Sequence, residues 1–333
     1  MTREDKFLSS YSFAILSAFK YLLKNYSEVF ILGQGLWSPW YVGNTMLKLE
    51  EEFGRERVID TPVSEAATTG AAVGASISGM RPIVVHPRMD FMLYAIDPIV
   101  NQASKWSYMF GGQSNAPLTI RSIINRGGEQ GPQHSQSLHN WFSHIPGLRV
   151  VMPYSVQDAR DLLISSVLCD DPVIFIDDRW LYDDEALISS NINELDLRSV
   201  GPKIERKGED ITIVSSSFST KLSVEASKNL IHKNCSAEII DLRVINPLKI
   251  DLICESVTKT KRLLVVDGGT KTSGLAGEII ASVSEKIDIS TFQTSPRRVT
   301  LPDTPTPSSQ TQEVEYYPNK EMIIKTCLLM MNS

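Results

Sequence analysis

Short apolar runs alternate with stretches whose apolar positions recur every three or four residues. The runs Val29–Leu32, Arg57–Ile59, Ile83–Val85, Leu118–Ile120, Arg149–Met152 and Val173–Ile176 predict strands. Helical spacing over 43–53, 64–79, 91–110 and 156–168 separates them, and 11–23 reads as an amphipathic helix. Such alternation predicts an α/β fold whose parallel sheet is covered on both faces. From Leu181 to Lys207 the pattern turns polar and loses its period, as a linker does. A second alternation follows, with strands at Ile211–Val214, Ala237–Ile240, Leu263–Val266 and Arg298–Thr300 between helices near 219–232, 249–259, 273–285 and 319–331. The expected organisation is a first domain over 1–185, a linker over 186–207 and a smaller α/β domain over 208–333. Residues 302–309 form a Pro-rich extended segment, and no solenoid repeat is present.

One stretch departs from ordinary amphipathic patterning. Residues 57–82 place a single carboxylate, Glu65, where a buried strand hands over to a helix built from Gly70, Ala71, Ala72, Gly74, Ala75, Ser76 and Gly79. Each glycine costs a helix about 1 kcal/mol relative to alanine, so close packing against that face should compensate. Ligands of open α/β sheets sit at the carboxyl ends of strands, which puts Glu65 where chemistry is expected. The same residue also suits a plain helix N-terminus, where the dipole favours an acid. Spacing alone leaves both readings open.

Bulk composition narrows the classes. A chain of 333 residues, 42% hydrophobic and 22% charged, has the makeup of a globular protein with about two domains. A net charge of −6 without a basic stripe argues against nucleic acid, and no run approaches the roughly 20 apolar residues of a membrane span. Cys169, Cys235, Cys254 and Cys327 lack any Cys-x-x-Cys spacing and read as reduced thiols of a cytoplasmic protein. His134, His139 and His144 stand five residues apart, a spacing without helical metal-binding logic.

Beyond 57–82, a series of segments carries a resemblance: Phe91-Met-Leu-Tyr-Ala-Ile-Asp97, Asn101 to Gly112, Gln133-His-Ser-Gln-Ser137, Pro146 to Pro153, Asp171-Pro-Val173 and Val266-Asp-Gly-Gly269. In order and spacing the chain resembles the beta subunit of the thiamine-diphosphate-dependent first component of 2-oxoacid dehydrogenases, of the pyruvate dehydrogenase type. That resemblance implies a parallel-sheet pyrimidine-binding domain followed by a smaller transketolase C-terminal-type domain. It implies that Glu65 hydrogen-bonds the cofactor's pyrimidine ring, that Phe91 packs on that ring with Tyr94 one turn on, and that His134 acts near the active-site mouth. His139 and His144 are then structural. A divalent metal in such enzymes is held by Gly-Asp-Gly followed by Asn, which this chain lacks. The implied assembly is α2β2, an alpha-type partner bringing the diphosphate and Mg site, with a lipoyl acyltransferase as possible acceptor.

Several positions depart from the family pattern. Gln34 stands where glutamate is common, and Val85-His-Pro-Arg-Met-Asp90 replaces a mostly apolar segment, placing His86 and Arg88 on the substrate side. Arg88 could equally form an interface salt bridge. Arg121 to Gly128 is unlike the usual Arg-Gly-Pro loop, and Cys169 departs from an acidic residue near a family potassium site, so no ion is assigned there. The Gly-rich run Val266 to Gly277 fits neither Gly-x-Gly-x-x-Gly nor a Walker loop and reads as a tight turn. The expected reaction is decarboxylation of a 2-oxo acid with acyl transfer to a lipoyl group. The alternatives are a split transketolase-like ketol transferase subunit and a non-catalytic scaffold of the same fold.

Overall fold

The computed structural model describes residues 5–332. Its contacts divide the chain into two compact units. The first holds 5–125 and 141–200 of the described residues, and the second holds Arg126–Asn140 together with 201–332.

Eight strands belong to the first unit: β1 (Lys6–Ser10), β2 (Val29–Gly33), β3 (Val58–Asp60), β4 (Arg81–His86), β5 (Thr119–Ile124), β6 (Arg149–Val151), β7 (Val173–Asp178) and β8 (Glu185–Ser189). Within the unit the main sheet runs β6-β7-β5-β4-β2-β3, every pair parallel. All residues of β5 and β7 are buried, as expected of strands covered on both faces. The helix Tyr11–Asn25 covers one face with Ile15, Phe19 and Leu22, each fully buried. Burial of each such side chain is worth roughly 1.5–3 kcal/mol. Ser10 caps its first turn by accepting from Phe13 N at 3.2 Å, and Arg57 Nη1 donates to Leu23 O at 2.7 Å near its end.

At the centre of this sheet lies a charged pair. Arg121 on β5 and Asp177 on β7 are fully buried, joined by two bonds of 3.0 and 2.7 Å. Arg121 also donates to Thr45 Oγ1 at 2.9 Å and Tyr182 OH at 3.0 Å, and Tyr182 OH donates to Asp177 at 2.6 Å. The pair is thus held within a polar network that ties two central strands to surrounding segments.

The second unit has β9 (Lys203–Arg206), β10 (Ile211–Ser215), β11 (Ala237–Asp241), β12 (Val244–Asn246), β13 (Leu263–Thr270) and β14 (Arg297–Leu301). Its sheet runs β14-β13-β10-β11-β9, parallel except for the antiparallel edge strand β9. Ile211, Ile213, Ile239 and Leu264 pack with Ala226 and Leu230 of the helix Phe218–Leu230 and with Ile323, Cys327 and Met330 of the helix Lys320–Met331.

Some expectations change. The stretch expected as a linker carries β8 at its start, paired antiparallel with β1, and β9 near its end. These strands are short and half-exposed, so their apolar pattern is weak. The helix expected over 91–110 is instead a succession of turns, with a π-helical segment Pro98–Ala103 and an α-helix Ser104–Met109. Pro98 has no N–H to continue an α-helical ladder. Likewise 43–53 divides into the 3-10 turn Gly43–Met46 and the helix Leu49–Phe53. Asp267, Gly268 and Gly269, expected in a turn, continue β13.

Removing one member of the buried pair leaves a lone charge where water cannot reach. Arg121→Met should therefore cost about 3–5 kcal/mol in urea unfolding, and Arg121→Met with Asp177→Leu should recover much of it. Equal stability of the single variant and wild type would show that the pair is not the sheet's polar centre.

Candidate functional site

Chain order determines where the first unit opens. From β2 the chain crosses outward to β3, then returns past β2 to β4 on its other side. Connections leaving β2 and β4 diverge, and the crevice above their carboxyl ends is the usual ligand position in such sheets. A cavity open to solvent lies there. It is lined from β2 by Gly33 and Gln34, from the segment after β3 by Thr61, Ser64 and Glu65, and from β4 onward by His86, Arg88 and Phe91.

Close backbone approach shapes its floor. A Cβ on Gly33 would come 2.3 Å from Val85 O, so only glycine lets these strand ends meet. Asp60 at the end of β3 accepts from Gly35 N at 2.6 Å and Leu36 N at 3.3 Å, and Thr61 N donates to Gly33 O at 2.9 Å. These bonds fasten the Gln34 turn. Glu65 is half-buried and is the first residue of the helix Glu65–Ile77, in the turn whose N–H groups have no intrahelical acceptor. On the outer face of that helix Ala66, Ala67, Gly70, Ala71 and Gly74 are exposed, and a Cβ added at Gly70 or Gly74 would meet nothing within 4 Å.

The far wall is polar. His86 is buried, its Nε2 3.2 Å from Thr69 Oγ1, and burial pushes its pKa down to about 4. Burial lowers the Arg88 guanidinium below its usual range, and the charge of Arg179 adds to this against the pull of Asp90. Asn125 joins this wall together: its Nδ2 donates to Pro87 O at 3.0 Å and its Oδ1 accepts from Arg179 Nη1 at 3.1 Å.

The comparisons with known proteins agree with this architecture. Residues 9–184 match the transketolase pyrimidine binding domain and residues 202–323 the transketolase C-terminal domain. A pyruvate dehydrogenase E1 component subunit beta from Rickettsia bellii is 39% identical over 259 residues, covering 78% of this chain and 79% of that protein. The chain belongs to the beta-subunit family of 2-oxoacid dehydrogenases. A mitochondrial pyruvate dehydrogenase E1 beta-1 subunit from Arabidopsis thaliana is 37% identical to this beta subunit over 300 residues, covering 90% of this chain and 82% of that protein. The beta subunit of the acetoin:2,6-dichlorophenolindophenol oxidoreductase of Bacillus subtilis is 35% identical over 283 residues, covering 85% of this chain and 82% of that protein. A solved structure titled as a split-gene transketolase, an inactive beta4 tetramer, shares the fold with a TM-score of 0.74 at 18% identity, covering 97% of this chain and 98% of that one.

Of the residues singled out in the sequence, Glu65, Phe91, His86 and Arg88 line one cavity of this beta subunit, as does Gln34. Tyr94 does not line it: it is 74% exposed, because the short helix Met89–Met92 tightens into a 3-10 turn at Leu93–Ala95. His134 belongs to the second unit, half-buried in the bend ahead of the helix His139–Ser143. In that unit His139 Nε2 lies 2.9 Å from Asp267 Oδ1. Burial alone would raise the Asp267 pKa, but the charge and hydrogen bond of His139, with Gly269 N and Arg126, hold it below the usual carboxylate range. Val167 O and Cys169 O, beside the stretch considered for an ion, accept from Arg81 Nη1 at 3.1 and 3.0 Å. Sequence reasoning missed Asp60, Thr69 and Asn125. Asp60 had one local signal, an acid ending an apolar strand, but partners 17 to 54 residues away were invisible.

Between pH about 6.5 and about 4 the unfolded chain binds a proton at His86 that the folded chain refuses. Stability is complete above that window, and acidification through it should remove about 1.4 kcal/mol per pH unit. His86→Phe should lack this component of the slope. Urea unfolding at pH 7 and pH 5 checks it, and parallel losses in both proteins would refute the assignment.

Proposed function

We propose that this chain is the catalytic beta-type subunit of a heteromeric thiamine-diphosphate enzyme that decarboxylates a 2-oxo acid and passes the acyl unit to a lipoyl acceptor. The observation that carries the reading is the meeting of Glu65 and Phe91 in the switch-point cavity, within a chain of this family. The residues fit the pyrimidine end of the cofactor: a half-buried carboxyl able to exchange a proton with a ring nitrogen, and a flat apolar face for the ring. When bound, thiamine diphosphate supplies the nucleophilic carbon and electron sink that decarboxylation requires. Glu65 would hold the pyrimidine nitrogen and share its proton, Phe91 would orient the ring, and His134 would serve as a proton donor toward substrate or acceptor.

The diphosphate and its Mg are assigned to an alpha-type partner, because Gly-Asp-Gly…Asn is missing here. The exposed small-residue face Ala66, Ala67, Gly70, Ala71 and Gly74, with Val63 exposed just before it in sequence, suits close approach of another chain, in an α2β2 assembly. Four free cysteines fit a reducing compartment, which we take as the cytoplasm. No helix among the described residues is long and apolar enough to cross a membrane.

A second reading is favoured by Arg88 on the cavity wall with Arg179 close enough to perturb it. A guanidinium on the wall suits a second anionic group, as in a dicarboxylate or a phosphorylated sugar, so ketol transfer is the alternative reaction. Co-purification of the tagged chain, followed by substrate screening, separates them: carbon dioxide release from a 2-oxo acid supports the first, carbon-neutral exchange between sugars the second.

In the assembled enzyme Glu65→Gln should keep partner binding and lower kcat by roughly 10²–10⁴-fold. Turnover near that of wild type would remove Glu65 from the chemistry.

A further inference from the structure

The second sheet repeats the reversal of the first. From β10 the chain passes outward to β11 and then back to β13 on the other side of β10, so the crevice favoured by ligands lies above the carboxyl ends of β10 and β13. In this chain those strand ends are met by its own segment Arg126–Asn140. The Arg126 guanidinium carbon lies 5.8 Å from the ring centre of Phe218, which opens the helix after β10. A Cβ on Gly268 would come 3.0 Å from Arg126 Nη1, and one on Gly269 would come 3.1 Å from both His139 Cε1 and Asn140 Nδ2. The two glycines after Asp267 therefore leave room for that segment.

The segment is fastened at two ends. At the first, Gly127 N donates to Tyr317 OH at 3.4 Å, Glu129 N donates to Glu313 Oε2 at 3.0 Å, and Gln310 N donates to Glu129 Oε1 at 3.3 Å. At the second, Leu275 N donates to Asn140 Oδ1 at 3.0 Å, and the buried His139 pairs with the buried Asp267. An ionised carboxylate only accepts, so the Nε2 of His139 is the donor. His134 sits in the span between.

We propose that Asp267 and His139 are positioning residues: their buried bond anchors the 131–138 span and sets where the His134 side chain stands. The inference rests on the reading that His134 takes part in the reaction. In this arrangement the switch-point crevice of the second unit is not a ligand site. It receives a strap from the chain itself, and the strap carries a functional group.

The test combines amide hydrogen exchange on the chain with turnover of the enzyme assembled with its partner. Asp267→Ala should raise exchange across 131–138 by about tenfold or more while β10 and β11 keep their protection. In the assembled enzyme it should lower kcat roughly 10- to 100-fold with the KM for the 2-oxo acid little changed. His139→Leu should reproduce both effects and serves if Asp267→Ala does not fold. His139→Gln, whose amide can still donate to Asp267, should restore both protection and turnover. Unchanged exchange in both disruptive variants would overturn the anchor. Faster exchange with unchanged kcat would overturn the positioning role. A wild-type assembly inert toward 2-oxo acids, with 131–138 still released by Asp267→Ala, would overturn the functional reading and leave the pair a structural anchor.

Discussion

Each sheet reverses direction beside its first parallel strand, and the positions of the chemically useful residues follow from that constraint. Two connections leaving neighbouring strands in opposite directions cannot both cover the strand ends, so a crevice remains. In the first unit the reversal at β2 leaves a cavity lined by three strand ends and the segments that follow them, and Glu65, His86, Arg88 and Phe91 meet there despite their separation along the chain. In the second unit the corresponding ends of β10 and β13 are met by Arg126–Asn140. The same topological opening stays open in one unit and is taken by the chain's own backbone in the other.

Close approach makes the first crevice specific. Gly33 brings the end of β2 against Val85 O, and Asp60 gathers the next backbone N–H groups, so the Gln34 turn is held from below. Asn125 does the corresponding work on the far wall, linking Pro87 O to Arg179. Each uses a short polar side chain to secure backbone beside the cavity. The wall is polar: His86 is buried against Thr69, and the charge of Arg179 acts on the Arg88 guanidinium.

Buried polar groups recur because parallel sheets leave no solvent near their centre. Arg121, Asp177 and Tyr182 satisfy one another there, as His139 and Asp267 do in the second unit. Desolvation makes each such group costly alone and its partner indispensable. Polar contacts of this sort select one arrangement of segments, where apolar packing would accept several.

By itself the sequence determined the alternation of buried strands and helices, since β5, β7, β10 and β11 each carry a short apolar run and are buried throughout. It also placed Glu65 at a strand-to-helix junction beside a helix of small residues, because small side chains and turn positions are local properties. Only the tertiary structure decided which residues meet. The strands β1, β8 and β9 were hidden because short, half-exposed strands have little apolar pattern. Tyr94 turned to solvent when the helix tightened after Met92. His134 went with the second unit, and His139 found Asp267 across 128 residues of chain. Pairings of that range depend on strand order and on the space two glycines leave, and neither is written in any local window of the sequence.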